Sequence, residues 1–391
     1  MLKSFKIRFN PFIFPLLIFF ILLFLPGGFS AYTWEKGFRW FYFFSISLLL
    51  TVILVPISNM IAVKFNAIDI PDQRRIHKYP IPRFGGMAIW LSFIISVIRG
   101  WHLSLEIISI LIASSLIYMV GALDDIKRLS VKTRLFIQLI ASIIIVAGGI
   151  SITFTLKYGI LGHIFSYLLT IVWLVGITNA FNFMDGIDGL ASSMGFICSV
   201  LFLLVLVNTN QYQVSIISAS LAGCCMGFLK YNWNPAKVFL GDGGSTLIGF
   251  LLGTMAIYGT WSHNEILPSI SLPLLILSIP IYDLVYTTIS RIKNGKVKNI
   301  KDWLEYAGLD HLHHRLLAIG FDTKKAVIFI SLLNILLGLE ASTIVVQDKI
   351  TETFITIIQV FSIFIIISFI MIISRNKEKI IYENYNKKNQ N

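Results

Sequence analysis

Cysteine is almost missing from this chain, with three residues in 391: Cys198, Cys224 and Cys225. All three fall inside apolar segments and show no paired metal-ligand spacing, so they read as small buried apolar side chains. A disulfide framework is excluded. Charged residues make up only 13%, and the basic excess of +12 comes with no nucleic-acid recognition module, so no nucleic acid partner is expected. Long low-complexity stretches and internal repeats are absent, which excludes a repeat array.

What fills the chain instead is apolar. Hydrophobic residues reach 56% and the mean hydropathy is +0.79, well above a soluble domain of this length. Apolar runs of roughly 17 to 25 residues lie near 11–27, 40–63, 84–99, 104–123, 134–150, 160–178, 188–207, 213–229, 239–258, 270–290, 325–346 and 353–374. The expected fold is an all-α polytopic membrane protein of about 11–12 transmembrane helices. Residues 84–99 are short for a full span. Lys3, Lys6 and Arg8 ahead of the first run resemble a signal peptide, but no small-x-small site follows and Pro26-Gly27-Gly28 reads as a helix end. That run is kept as a helix.

Of the 32 lysines and arginines, all but Lys36, Arg39, Arg99, Lys157 and Lys349 fall in the two tails and the connections after even-numbered segments. The positive-inside rule then puts both termini in the cytoplasm. The same charge suits anionic lipid head groups or a phosphorylated substrate.

The polar chemistry gathers on that basic side. Residues 71–86, PDQRRIHKYPIPRFGG, hold three prolines and two glycines that forbid a regular helix, while His77, Arg83 and their basic neighbours offer donors to phosphate oxygens. A plain positive-inside loop is the alternative. Asp124 and Asp125 end the segment 104–123, at the negative end of a helix dipole, so something cationic must compensate them. Lys127, Arg128 and Lys132 could do so structurally; a divalent cation such as Mg²⁺ beside a phosphorylated substrate is the sharper reading.

Asn179, Asn182, Asp185 and Asp188 follow in NAFNFMDGIDGLA. Asp188 suits a helix N-cap, but Asn182 and Asp185 have no such simple role, and the EF-hand pattern is missing. In FLGDGGS, Asp242 suits a helix N-terminus while its glycines let backbone N–H groups approach an anion; the Walker A order is absent. His311, His313 and His314, beside Asp310 and Arg315, form a dense donor cluster better suited to a diphosphate than to zinc. Asp283 ends up on the same side, available to support the site. Glu106 and Glu340 receive no role.

Taken in order, PDQRRIHKYPIPRFGG, DDIKRLSVK, NAFNFMDGIDGLA, FLGDGGS and HLHHRL resemble the polyprenyl-phosphate N-acetylhexosamine-1-phosphate transferase family over about residues 40–345. The resemblance divides the chain into an N-terminal transmembrane extension (1–39), a transferase membrane domain (40–346), an additional C-terminal helix (347–374) and a polar cytoplasmic tail (375–391), expected to be frayed. It implies a bacterial inner-membrane enzyme with its active site in cytoplasmic loops. That enzyme would move an N-acetylhexosamine 1-phosphate, preferably that of N-acetylglucosamine, from a UDP-sugar to polyprenyl (undecaprenyl) phosphate and release UMP. Such a step initiates cell-envelope polysaccharides such as O-antigen or teichoic acid.

By the same resemblance Asp124 and Asp125 match an acidic catalytic pair, and Lys132 a basic residue at the matching distance. Asp125, Asn182 and Asp242 match the Mg²⁺ site, with Mn²⁺ a possible substitute. His77, Arg83, Asn179, Asp185, Asp188, His311, His313, His314 and Arg315 are the substrate-binding candidates. Arg128 departs from the family, many members having Gly there, which bears on loop shape. A homodimer is compatible with the resemblance. Exchange of one diphosphate linkage for another is near balance, so catalysis is positioning and charge neutralisation. Asp124 stays open as base, nucleophile or positioning group. The peptidoglycan branch, using a muramoyl-pentapeptide nucleotide, is the alternative within the family; a transporter of ions or lipid phosphates is the rival of another class, disfavoured because the polar groups gather at one face and not at mid-membrane.

Overall fold

The computed structural model describes residues 28–70, 79–100, 103–261, 266–298, 308–347 and 350–388. Helix α1 (Phe29–Glu35) leads into α2 (Arg39–Lys64) and then a two-residue antiparallel ladder of β1 (Ile68–Asp69) and β2 (Ile81–Pro82). Next come α3 (Gly85–Arg99), α4 (Leu105–Lys127), α5 (Val131–Ala147), α6 (Gly159–Met184), α7 (Leu190–Asn208), α8 (Tyr212–Asn232) and α9 (Gly241–Tyr258). The chain closes with α10 (Ile266–Ile276), α11 (Ser278–Lys293), α12 (Leu312–Ala318), α13 (Thr323–Gln347) and α14 (Ile350–Lys388). Helix dominates for a physical reason: apolar segments in lipid must satisfy their backbone internally.

Every apolar run expected from residue 40 onward is helical, and 11–27 lies outside the described residues. Among the described residues, α2, α4, α6, α7, α8 and the stretch Phe354–Arg375 of α14 are each long and apolar enough to cross a membrane. Helix α9 is the core element. All its residues except Asp242, Ile257 and Tyr258 are buried, and it packs on α3, α4 and α6. Glycine makes this possible: a Cβ on Gly121 would overlap Gly243, and one on Gly86 would overlap Gly244. Small residues let backbones close in where lipid supplies no hydrophobic drive between helices.

Two expectations need correction. The run 270–290 is not one straight helix but α10 and α11, bent by 80° at Leu277. Pro280 has no N–H to give to the carbonyl of Ile276 four residues back, so the ladder breaks there. The Sγ of Cys198 donates to that carbonyl at 3.3 Å, a polar duty beyond the apolar filler read from sequence. The tail after 374 is helical as far as Lys388, because its Lys-, Asn- and Glu-rich run contains neither Pro nor Gly.

Candidate active site

Asp124 and Asp125 occupy the last turn of α4. Asp125 is compensated by backbone: its Oδ1 accepts from Asp242 N at 3.1 Å and its Oδ2 from Gly243 N at 3.3 Å. Those two N–H groups are among the unpaired donors at the start of α9, so the negative end of one helix docks on the positive end of another. The contact requires glycine at 241, which has a φ of 75° and where a Cβ would collide with Asp125 Oδ2.

Asp124 shapes the turn that follows. Its carbonyl accepts from Arg128 N, and its Oδ1 from Leu129 N. Arg128 sits in the left-handed region at φ 51°, the conformation Gly adopts without strain. Ser130 then caps α5 through Thr133 N at 3.2 Å. One turn in, Arg134 Nη1 donates to Asp124 Oδ2 at 2.9 Å and to Asp242 Oδ2 at 3.4 Å. Lys132, one of the three cations read as possible counter-charges to the acidic pair, is exposed on the first turn of α5.

A second cation comes from β2 and the loop after it. Backbone bonds from Gly85 N to Phe239 O, Gly86 N to Leu240 O and Phe239 N to Pro82 O lace this loop to the start of α9. Arg83 Nη2 is thereby held 3.6 Å from Asp125 Oδ1 and 3.7 Å from Asp242 Oδ1. His77 lies outside the described residues.

The residues after α6 split into two groups. Asn182 Oδ1 meets Ser245 Oγ at 2.8 Å, while Asn179 Nδ2 donates to Gln138 Oε1 at 2.8 Å; with Arg134, Asp242 and Thr246 they line a small cleft between α4, α5, α6 and α9. Asp185 and Asp188 line a larger cavity of about 780 Å³, together with Asp69, Arg83, Gly241 and His314. Burial lifts the Asp185 carboxyl well above the usual carboxylate range; Arg83 opposes this, and Asp242, Asp125 and Asp188 add to it. Asp188 is not the helix N-cap, a place taken by Gly189. Its Oδ2 accepts from Asn234 Nδ2 at 2.9 Å and Ala236 N at 3.0 Å, stitching two walls of the cavity together.

Of the histidine cluster, His314 lines the cavity. His313 is buried with its Nε2 against Gly186, and burial pushes it far below the ordinary imidazole range, so it is neutral. His311 is buried too, bonded to Asp283 and Arg291. Arg315 is buried on the α14 side, where its carbonyl accepts from Ser374 Oγ, and it is not among the lining residues.

The site collects Asp124, Asp125, Asp185 and Asp242 around Arg83 and Arg134, so carboxylates outnumber the cations that face them. Among the described residues no three metal-binding side chains converge on one point. Asp125 and Asp242 do converge as a pair on one guanidinium nitrogen, with Asn182 nearby. That donor set fits Mg²⁺, which takes one or two carboxylates and fills its shell with water and substrate phosphate.

The glycosyl transferase family 4 model matches residues 107–260, from α4 to the start of the connection after α9. A probable undecaprenyl-phosphate N-acetylglucosaminyl 1-phosphate transferase of Bacillus subtilis is 33% identical over 338 residues, covering 85% of this chain and 90% of that protein. A decaprenyl-phosphate N-acetylglucosaminephosphotransferase of Mycolicibacterium smegmatis is 31% identical, covering 70% and 74%. An undecaprenyl-phosphate alpha-N-acetylglucosaminyl 1-phosphate transferase of Yersinia pestis is 27% identical, covering 72% and 78%.

Proposed function

Because this chain belongs to glycosyl transferase family 4, we propose that it transfers N-acetylglucosamine 1-phosphate from its UDP-sugar to polyprenyl phosphate and releases UMP, on the cytoplasmic face of a bacterial membrane. The observation that carries this reading is the paired approach of Asp125 and Asp242 to one point, 3.6 and 3.7 Å from Arg83 Nη2, between a cavity and a cleft of different character. The cavity, with Arg83 and His314 in its wall, takes the nucleotide sugar. The cleft, with Arg134 at its polar end and Ile117, Val120 and Leu135 along it, takes the phosphate of a lipid chain.

Asp125, Asp242 and Asn182 are the residues that would hold Mg²⁺, which would supply charge neutralisation for a diphosphate substrate. Arg83, which rests between the two carboxylates and lines the cavity, supplies donors for substrate phosphate. Asp124 engages both oxygens, with Leu129 N and Arg134, and so aims the arginine. No base is needed for the acceptor, since a phosphate monoester has its second pKa near 6 and is mostly dianionic at neutral pH. In this reading the acceptor phosphate in the cleft attacks the sugar-bearing phosphorus of the donor, and the bond to UMP breaks.

Purified protein given polyprenyl phosphate, Mg²⁺ and a panel of UDP-N-acetylhexosamines should release UMP with UDP-N-acetylglucosamine and form a lipid product of the matching mass. A muramoyl-pentapeptide product would move the chain to the peptidoglycan branch, and silence with every donor would end the enzyme reading. EDTA should abolish the activity and Mg²⁺ restore it.

A further inference from the structure

Three histidines in one motif invite one shared role, yet their surroundings differ. Arg291 is 2% exposed and reaches His311 with Nη2, 3.1 Å from Nε2. A guanidinium only donates, so Nε2 is the acceptor and carries no proton. The ring proton is therefore on Nδ1, which donates to Asp283 Oδ2 at 2.7 Å. Asp283 Oδ1 accepts from Leu312 N, also at 2.7 Å, and fastens the start of α12. On the other side Arg291 grips Asp310 with Nε at 2.9 Å and Nη2 at 2.6 Å. The ring stacks on Phe183, centroids 5.3 Å apart, next to Asn182 in the chain.

We propose that His311 is a positioning residue, locked as the neutral Nδ1–H tautomer between Asp283 and Arg291, and not a ligand of the nucleotide diphosphate. Neither ring nitrogen is left for a phosphate oxygen. The chain Asp283–His311–Arg291–Asp310 instead docks α12 on α11, while Phe183 ties it to the end of α6. Its output is the placement of His314, which faces the cavity three residues on. The sequence motif thus divides its labour: one histidine braces the turn, one is sealed against Gly186, and one is presented to substrate.

The spectroscopic test does not depend on the proposed function. In membrane-reconstituted full-length protein labelled with [¹⁵N]histidine, His311→Asn identifies the His311 signals by their loss. The lost pair should be a protonated Nδ1 and an unprotonated Nε2 at neutral pH; an Nε2–H tautomer or an imidazolium overturns the proposal. The kinetic test rests on the transferase reading. His311→Ala and Asp283→Asn should each lower kcat/KM for the UDP-sugar by about 10- to 100-fold, the usual size for an orienting partner, and their combination should lose no more than the worse single change. His311→Asn, which keeps a donor toward Asp283, should recover most of the loss. Multiplicative losses, or no rescue by Asn together with weakened UDP binding only in the His311 variants, would overturn the proposal. An inactive wild type would instead sink the transferase reading and leave the tautomer result standing.

Discussion

Arg134 bridges Asp124 and Asp242, whereas Lys132, read from sequence with Lys127 and Arg128 as a counter-charge to the acidic pair, is exposed. Arg134→Ala should cut turnover by about 10²-fold, as for loss of one transition-state donor, while Lys132→Ala stays near wild type. Initial rates against polyprenyl phosphate concentration check both; the reverse ranking would give that role to Lys132. A clue to Arg134 was present in the sequence: a cation in the first turn of a helix opposes the dipole just as an acid in the last turn does, and the two misplacements cancel when paired. Titration adds a second prediction. Buried Asp185 holds its proton above the usual carboxylate range, whereas the unfolded chain releases it near pH 4. Stability from that proton is therefore lost as pH rises, and Asp185→Asn should raise the apparent unfolding temperature at pH 7, with the gain shrinking toward pH 4. His313 runs the other way: burial lowers its pKa, so acidification below about 6.5 protonates the unfolded chain first and destabilises the fold. Unfolding curves from pH 8 to 4 separate the two.

The docking of α4 on α9 fixes the acidic pair by backbone, not by side chains. No neighbouring side-chain substitution can remove the N–H groups of Asp242 and Gly243 from Asp125; only a change of backbone path can. Gly241→Ala forces such a change through both its φ of 75° and the overlap with Asp125, so it should abolish activity even if the protein is still made and inserted, which size-exclusion chromatography and UMP release together would show. Arg128 makes the opposite case. Its left-handed backbone costs roughly 1–2 kcal/mol in a non-glycine residue, so Arg128→Gly should raise the apparent unfolding temperature with activity kept; an unchanged temperature would show that the strain is offset elsewhere. Local chemistry revealed the helix ends and glycine turns. The partners were hidden because Asp125 and Asp242 are far apart in sequence, and their meeting depends on Gly121 and Gly86 admitting α9.

At the level of the whole molecule, composition alone disclosed the helical membrane fold, since apolar runs have no other way to satisfy their backbone in lipid. Outward faces remain apolar: on α14, Ile358, Phe361 and Ile365 are each at least 64% exposed, the surface expected to meet lipid tails. Sidedness is testable directly. With the native cysteines replaced by serine, Lys132→Cys should react with a membrane-impermeant maleimide in inverted vesicles but not in intact cells; the reverse pattern would place the site outside. What periodicity could not show was the break between α10 and α11, because a proline near the start of a helix is compatible with a straight continuation or a bend. Each half, 11 and 16 residues, is shorter than the roughly 20 needed to cross alone. The bend therefore has a consequence for biogenesis. Pro280 leaves the carbonyl of Ile276 without its helical donor, and the thiol that meets it belongs to α7, made earlier in the same chain. During synthesis the donor is already in the bilayer when the bent pair emerges, so the order of translation matches the order of need.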